Sequence, residues 1–136
     1  MDWGGENIKT VIFDFDGVIH KGYNGWKDGS IYGTIDTELM SYIETLMNDY
    51  YVVISSNRPA EQIVKHLSDM GYSVELFNKT PANMYWTKQH IIGVTNAKPI
   101  GILYVDDHGF RFNPEQETAV SIAVIEKILK NEFTNA

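Results

Sequence analysis

Three short apolar runs, each ending on polar residues, most constrain how this chain can fold. They are "TVIFDFDG" (10–17), "YYVVISS" (50–56) and "IGILYVDD" (100–107). Each is short, continuous and rich in β-branched side chains, which suits a strand buried on both faces of a parallel sheet. Each also closes on groups that are costly to bury without partners: Asp14 and Asp16, Ser55 and Ser56, Asp106 and Asp107. The carboxyl edge of an open parallel sheet is where ligands bind, so three polar endings there point to one site.

The intervals between the runs carry helical period. From Thr34 or Asp36 onward, Leu39, Ile43, Leu46 or Met47 and Tyr50 form one apolar face. Pro59 opens a second helix whose inner side is Ile63, Leu67 and Met70, with Gly71 as its stop. "YSVELF" (72–77) reads as a further strand, and "TPANMYWTKQH" (80–90) as a weakly periodic helix opened by Thr80 and Pro81. A last helix is expected from the Asn113 cap, with Pro114 and Gln116 behind it and Val120, Val124 and Ile128 on its inner face. Residues 17–35 are rich in Gly, Tyr, Trp and Lys, lack a period, and read as a flap. Alternation of strand and helix implies right-handed crossovers, hence a single α/β domain over residues 1–136. Its expected architecture is a three-layer, doubly wound, Rossmann-like parallel sheet.

At 136 residues the chain has the length of one domain, and 43% hydrophobic with 21% charged residues reads as soluble and globular. A formal charge of -7 disfavours nucleic acid as the main partner without excluding it, because phosphate backbones need a basic face. With no cysteine, thiolate catalysis and thiolate metal ligation are out. No apolar run approaches a membrane span and "MDWGGENIKT" does not read as a signal peptide, so a cytoplasmic location is expected.

One strand-end acid is most simply a turn or helix cap. Four carboxylates on one edge would repel each other unless a cation sat among them. Hard oxygen donors, without cysteine or histidine at ligand spacing, favour magnesium. Lys98, in "NAKP" before the 100–107 run, brings positive charge toward the same edge, although a lone lysine is by itself ordinarily a solvated residue. Acids, a hydroxyl, a lysine and a divalent cation together describe phosphoryl transfer.

In order and spacing, "FDFDGV", "VVISSNRP" and "KPIGILYVDD" resemble the four motifs of the haloacid dehalogenase (HAD) superfamily, over about residues 9–112. The resemblance implies Asp14 as nucleophile and Asp16 as general acid and then base, with Asp16 also a magnesium ligand through its backbone carbonyl. It implies Ser56, rather than Ser55, and Lys98 as phosphoryl-binding groups. Asp106, with or without Asp107, would complete the metal site begun by Asp14. A carboxylate at position 16 favours phosphatase or phosphotransferase chemistry over dehalogenation. More narrowly, "DFDGVIHKGYNGWKDG" and "KPIGILYVDD" are similar to small HAD-like hydrolases of phages and bacteria, in which an arginine often follows the acid pair; here His108 stands there.

A flap of about 20 residues and no large insertion imply a minimally capped member, open to a phosphorylated small molecule or a macromolecular end, unless an oligomer partner covers the site. Candidate substrate contacts are Ser56, Asn57, Arg58, Lys98 and His20. For His20 a structural hydrogen bond weighs equally, and for Arg58 a salt bridge at the helix start. On the flap, Lys27 is a further candidate contact to the leaving group, Tyr23 is either such a contact or packing, and Trp26 reads as packing. Arg111 reads as locally paired, and Met84, Tyr85 and Trp86 as buried. The expected function is a magnesium-dependent phosphomonoesterase working through an aspartyl-phosphate. The alternatives are a phosphotransferase, a polynucleotide end-processing phosphatase, and a catalytically idle HAD-fold binding module. A phospho-accepting receiver domain has its acid pair first and lysine last, the reverse of the order here.

Overall fold

The computed structural model describes residues 9–22, 25, 27–78, 80, 84–97, 103–105, 122, 123 and 125–129. Its centre is a five-stranded sheet. The strands are β1 (Lys9–Asp14), β4 (Tyr50–Ser55), β5 (Val74–Leu76), β6 (Ile92–Thr95) and β7 (Leu103–Val105), in the spatial order β5-β6-β4-β1-β7. Every pairing in it is parallel, so the chain is an α/β protein. A two-stranded antiparallel hairpin, β2 (His20–Lys21) with β3 (Thr34–Ile35), carries the flap at its tip.

Helix α1 (Thr37–Leu46) begins where Asp36 caps it, its Oδ1 accepting the Leu39 N–H at 3.0 Å while Lys21 pairs with Oδ2 at 3.1 Å. Its buried residues Leu39, Met40, Ile43 and Leu46 recur at helical spacing. Helix α2 (Ala60–Asp69) follows Pro59 and buries Ala60, Ile63 and Leu67. These side chains join one core with Val11 and Phe13 of β1, Val52 and Ile54 of β4, and Ile92 and Val94 of β6. Residues 122, 123 and 125–129 are helical, and Ile125 and Leu129 enter the same core. Each fully buried large apolar side chain contributes about 1.5–3 kcal/mol relative to exposure.

The direction of travel across the sheet explains which face each connection takes. The chain moves from β1 to β4 and past it to β5, and right-handed crossovers in one direction put both helices on the same face. It then turns back to insert β6 between β4 and β5, which sends that connection to the opposite face. There Phe77 and Trp86 pack on Ile12 and Val53. Trp86 lies on Gly93, where an added Cβ would come within 2.7 Å of the indole, and its Nε1–H donates to the Ile91 carbonyl at 2.8 Å.

The sequence expectations need two corrections here. The described part of 80–90 is not helical, because Trp86 serves as a cover for the sheet rather than as part of a periodic face. A strand unforeseen in the sequence, β6, occupies 92–95. Among the described residues, the helices pack into the core on one face of the sheet, and Phe77 and Trp86 pack on the other. The expected start of the last helix at Asn113 lies outside the described residues, as do Tyr23, Trp26 and Arg111. Among the described residues no helix is long and apolar enough to cross a membrane.

Candidate active site at the carboxyl edge

Asp14 ends β1 directly opposite Ser55 of β4, which in turn sits opposite Thr95 of β6. Because the strands are parallel, these residues share the carboxyl edge. On the other side of β1, Val105 of β7 pairs with Phe13. The chain leaves β1 toward β4 and returns much later to β7 on the opposite side. Asp14 therefore ends the strand on whose two sides the chain runs in opposite directions across the sheet, and ligands of open parallel sheets bind at the carboxyl edge of such a point.

The turn after Asp14 is tightly specified. Phe15 donates its N–H to Asp14 Oδ1 at 2.8 Å, and its carbonyl accepts from the N–H groups of Val18 at 3.2 Å and His20 at 2.8 Å. Gly17 donates to the His20 carbonyl at 3.0 Å and has φ of +87°, a conformation that side chains with a Cβ rarely adopt. Phe15, Val18 and Ile19 are fully buried, so apolar anchors hold the turn while its acids stay at the edge.

Asp16 is gripped by two buried side chains. Arg58, 1% exposed, donates through Nε to both carboxylate oxygens at 3.1 and 3.3 Å and through Nη2 to Oδ1 at 3.0 Å. Its Nη1 donates to the Gly29 carbonyl at 2.7 Å and to Gln62 Oε1 at 3.2 Å, and Gln62 also donates to the Gly29 carbonyl at 2.8 Å. A buried guanidinium is tolerable only with such pairing. His20, fully buried, meets Asp16 Oδ1 through Nδ1 at 2.7 Å, while Gly33 N–H donates to Nε2 at 2.8 Å. An amide N–H can only donate, so Nε2 carries no hydrogen and Nδ1 holds the one given to Asp16. Phe15 and Tyr32 pack against the ring, with centroids 5.6 and 5.4 Å away. A Cβ on Gly33 would lie 1.8 Å from the Lys21 carbonyl and 2.8 Å from Nε2, so no other residue fits there.

The two serines have different duties. Ser55 Oγ donates to the Ala97 carbonyl at 2.9 Å. Ser56 Oγ instead accepts the Arg58 N–H at 3.1 Å, which leaves its own hydrogen to give. Both are nearly buried, whereas Asn57 is exposed at the loop tip. Asn96 clamps this loop by donating to the Ser56 and Arg58 carbonyls at 2.8 and 2.5 Å and accepting from Ala60 N–H at 3.1 Å.

The structure thus gathers Asp14, Asp16, His20, Ser56 and Arg58 around the ends of β1 and β4, with Asn57 on the solvent side. Lys98, Asp106 and Asp107 lie outside the described residues. Among the described residues no group of three His, Asp or Glu forms a metal cluster. The donor chemistry still fits magnesium at Asp14, a hard oxygen ligand at the strand end. The Asp16 carboxylate is taken up by Arg58 and His20. Three residues that shape the site, Gly33, Gln62 and Asn96, carry no signal in the sequence, since each acts through a contact at least 13 positions away. No family model matches this chain, and neither the curated proteins nor the solved structures provide a match.

Proposed function

We propose that this protein is a magnesium-dependent phosphatase of the HAD type, on a doubly wound sheet, hydrolysing a phosphomonoester through an aspartyl-phosphate at Asp14. One observation carries this reading: Asp14 ends the strand on whose two sides the chain runs in opposite directions, while Asp16, two residues on, is fixed by Arg58 and His20. Two carboxylates in such unequal surroundings suit different tasks.

A carboxylate oxygen of Asp14 attacks phosphorus, the bond from phosphorus to the ester oxygen breaks, and protonated Asp16 gives its proton to the departing alcohol. Asp16, now a carboxylate, takes a proton from water as that water attacks the phosphoryl group. Inorganic phosphate leaves and Asp14 is restored. Ser56 donates its free hydrogen to a phosphoryl oxygen, and Lys98 supplies positive charge there. Magnesium, held by Asp14, the Asp16 carbonyl and the Asp106–Asp107 pair, would offset the charge between nucleophile and phosphate.

The test is release of p-nitrophenol from p-nitrophenyl phosphate, with and without magnesium, by wild type and Asp14→Asn. Activity that needs both the metal and Asp14 is expected. Equal rates for wild type and variant would end the nucleophile assignment.

A further inference from the structure

The same two side chains that hold Asp16 also hold the flap, and no requirement of phosphoryl transfer as such explains this. Arg58 grips the Asp16 carboxylate and the Gly29 carbonyl with different nitrogens of one guanidinium. His20 meets Asp16 with one ring nitrogen and the Gly33 N–H with the other. Gly29 lies within the flap and Gly33 at its return to β3, and Gln62 adds a second tie to Gly29. The hairpin base, with His20 opposite Ile35, fixes the register at which Gly33 meets the ring. Gly33 has no room for a side chain, so the contact tolerates no looser fit.

We propose that His20 and Arg58 are positioning residues that latch the flap to the proton-transfer group. The flap then sets the orientation of the Asp16 carboxylate, and a leaving group that seats the flap correctly is the one that receives the proton. This rests on the phosphatase reading above and adds a specificity device to it: selection of the leaving group through flap position. Neither His20 nor Arg58 needs to touch substrate for this role.

Isosteric replacements separate the two halves of the latch. In His20→Asn the side-chain amide nitrogen takes the place of Nδ1 and can still donate to Asp16. In His20→Gln the amide oxygen takes the place of Nε2 and can still accept from Gly33. Both would be assayed on an alkyl phosphate, whose alkoxide must be protonated to leave, and on p-nitrophenyl phosphate, whose phenolate leaves unaided. Each variant cuts the link between flap and Asp16 at one end, so both are expected to lose about 100-fold in kcat on the alkyl ester and no more than about threefold on the aryl ester. Equal losses on the two esters, or a His20→Asn variant that keeps wild-type kcat on the alkyl ester, would overturn the proposal.

A second measurement reads the latch without turnover. Nitrogen NMR of the wild-type imidazoles is expected to show one ring as the neutral tautomer with hydrogen on Nδ1, assigned to His20 by its loss in His20→Asn. Hydrogen on Nε2 would refute the latch while leaving the phosphatase reading intact. If wild type hydrolyses neither ester, the phosphatase reading fails and the proposed role of the latch falls with it.

Discussion

Two glycines in this protein each press against a ring, and the consequences differ. Gly93 lies under the Trp86 indole on one face of the sheet, amid Ile12, Val53 and Phe77. Gly33 lies against the His20 imidazole beyond the sheet's carboxyl edge, amid Asp16, Arg58 and Tyr32. The first contact is apolar, and its value is area removed from water. The second is built on hydrogen bonds and an ion pair, with Phe15 and Tyr32 packed on the imidazole, and its value is orientation, because a fully paired polar cluster specifies a geometry more than it adds stability. One region holds the protein together; the other holds Asp16 and the flap in one arrangement.

Truncating each ring's neighbourhood should therefore fail in different ways. Arg58→Met is expected to destabilise by about 3–5 kcal/mol, because it takes the guanidinium from the Asp16 carboxylate and leaves His20 alone against it. Adding Asp16→Asn to that variant should recover much of the loss in a denaturant titration, which would identify the charge pair rather than packing as the cause. Trp86→Ala is expected to cost about 3–5 kcal/mol as a cavity against Ile12 and Val53. No second substitution on the polar side should rescue it. Turnover per folded Trp86→Ala molecule should stay near wild type, and a specific loss of kcat there would blur the distinction between the two regions.

Asn96→Ala should have a smaller effect, about 1–3 kcal/mol, by leaving carbonyls of the 56–58 loop without their donor. Because that loop carries Ser56, the variant is expected to raise KM for a phosphate ester more than it lowers the melting temperature. A melting change without a KM change would remove Asn96 from the site's support.

The smallest effect is expected far from either ring. Tyr42 on α1 has a buried hydroxyl without a hydrogen-bond partner among the described residues. Burial, then the charge of Glu126, raises its phenol above the ordinary value of 10.0. A group with a raised folded pKa contributes stability that is whole below its unfolded pKa and is lost as pH climbs past it. Stability should therefore fall as pH rises above 10, and Tyr42→Phe should flatten that fall. At neutral pH the same variant should be neutral or more stable by up to about 1 kcal/mol, since it removes an unpaired polar group. A clear destabilisation in a urea titration would show that the hydroxyl has a partner after all.

The sequence makes the apolar region's strands and helices legible because period and punctuation are local. Asp36 caps α1, Pro59 precedes α2, and Gly71 ends it with φ of +96°, all within a few residues of the elements they bound. β6 escapes notice because four residues interrupted by Gly93 carry little β signal, and its place depends on Trp86, seven positions earlier, covering that glycine. At the site, Asp14, Asp16 and Ser56 stand out by their position at strand ends. The partner of Arg58 does not, because the pairing spans 42 positions and is created only when β1 and β4 lie side by side. His20 shows the same limit: its two contacts are set by a turn and a hairpin register that residue types alone do not encode.

The claim on which the rest depends is that Asp14 carries the phosphoryl group. The most direct measurement is rapid acid quenching of wild-type protein during turnover of p-nitrophenyl phosphate with magnesium, followed by mass analysis of the intact chain and its peptides. One added phosphoryl group is expected, on the peptide containing Asp14, and absent from Asp14→Asn. Turnover with no covalent adduct, or with the adduct on any other residue, would contradict the mechanism.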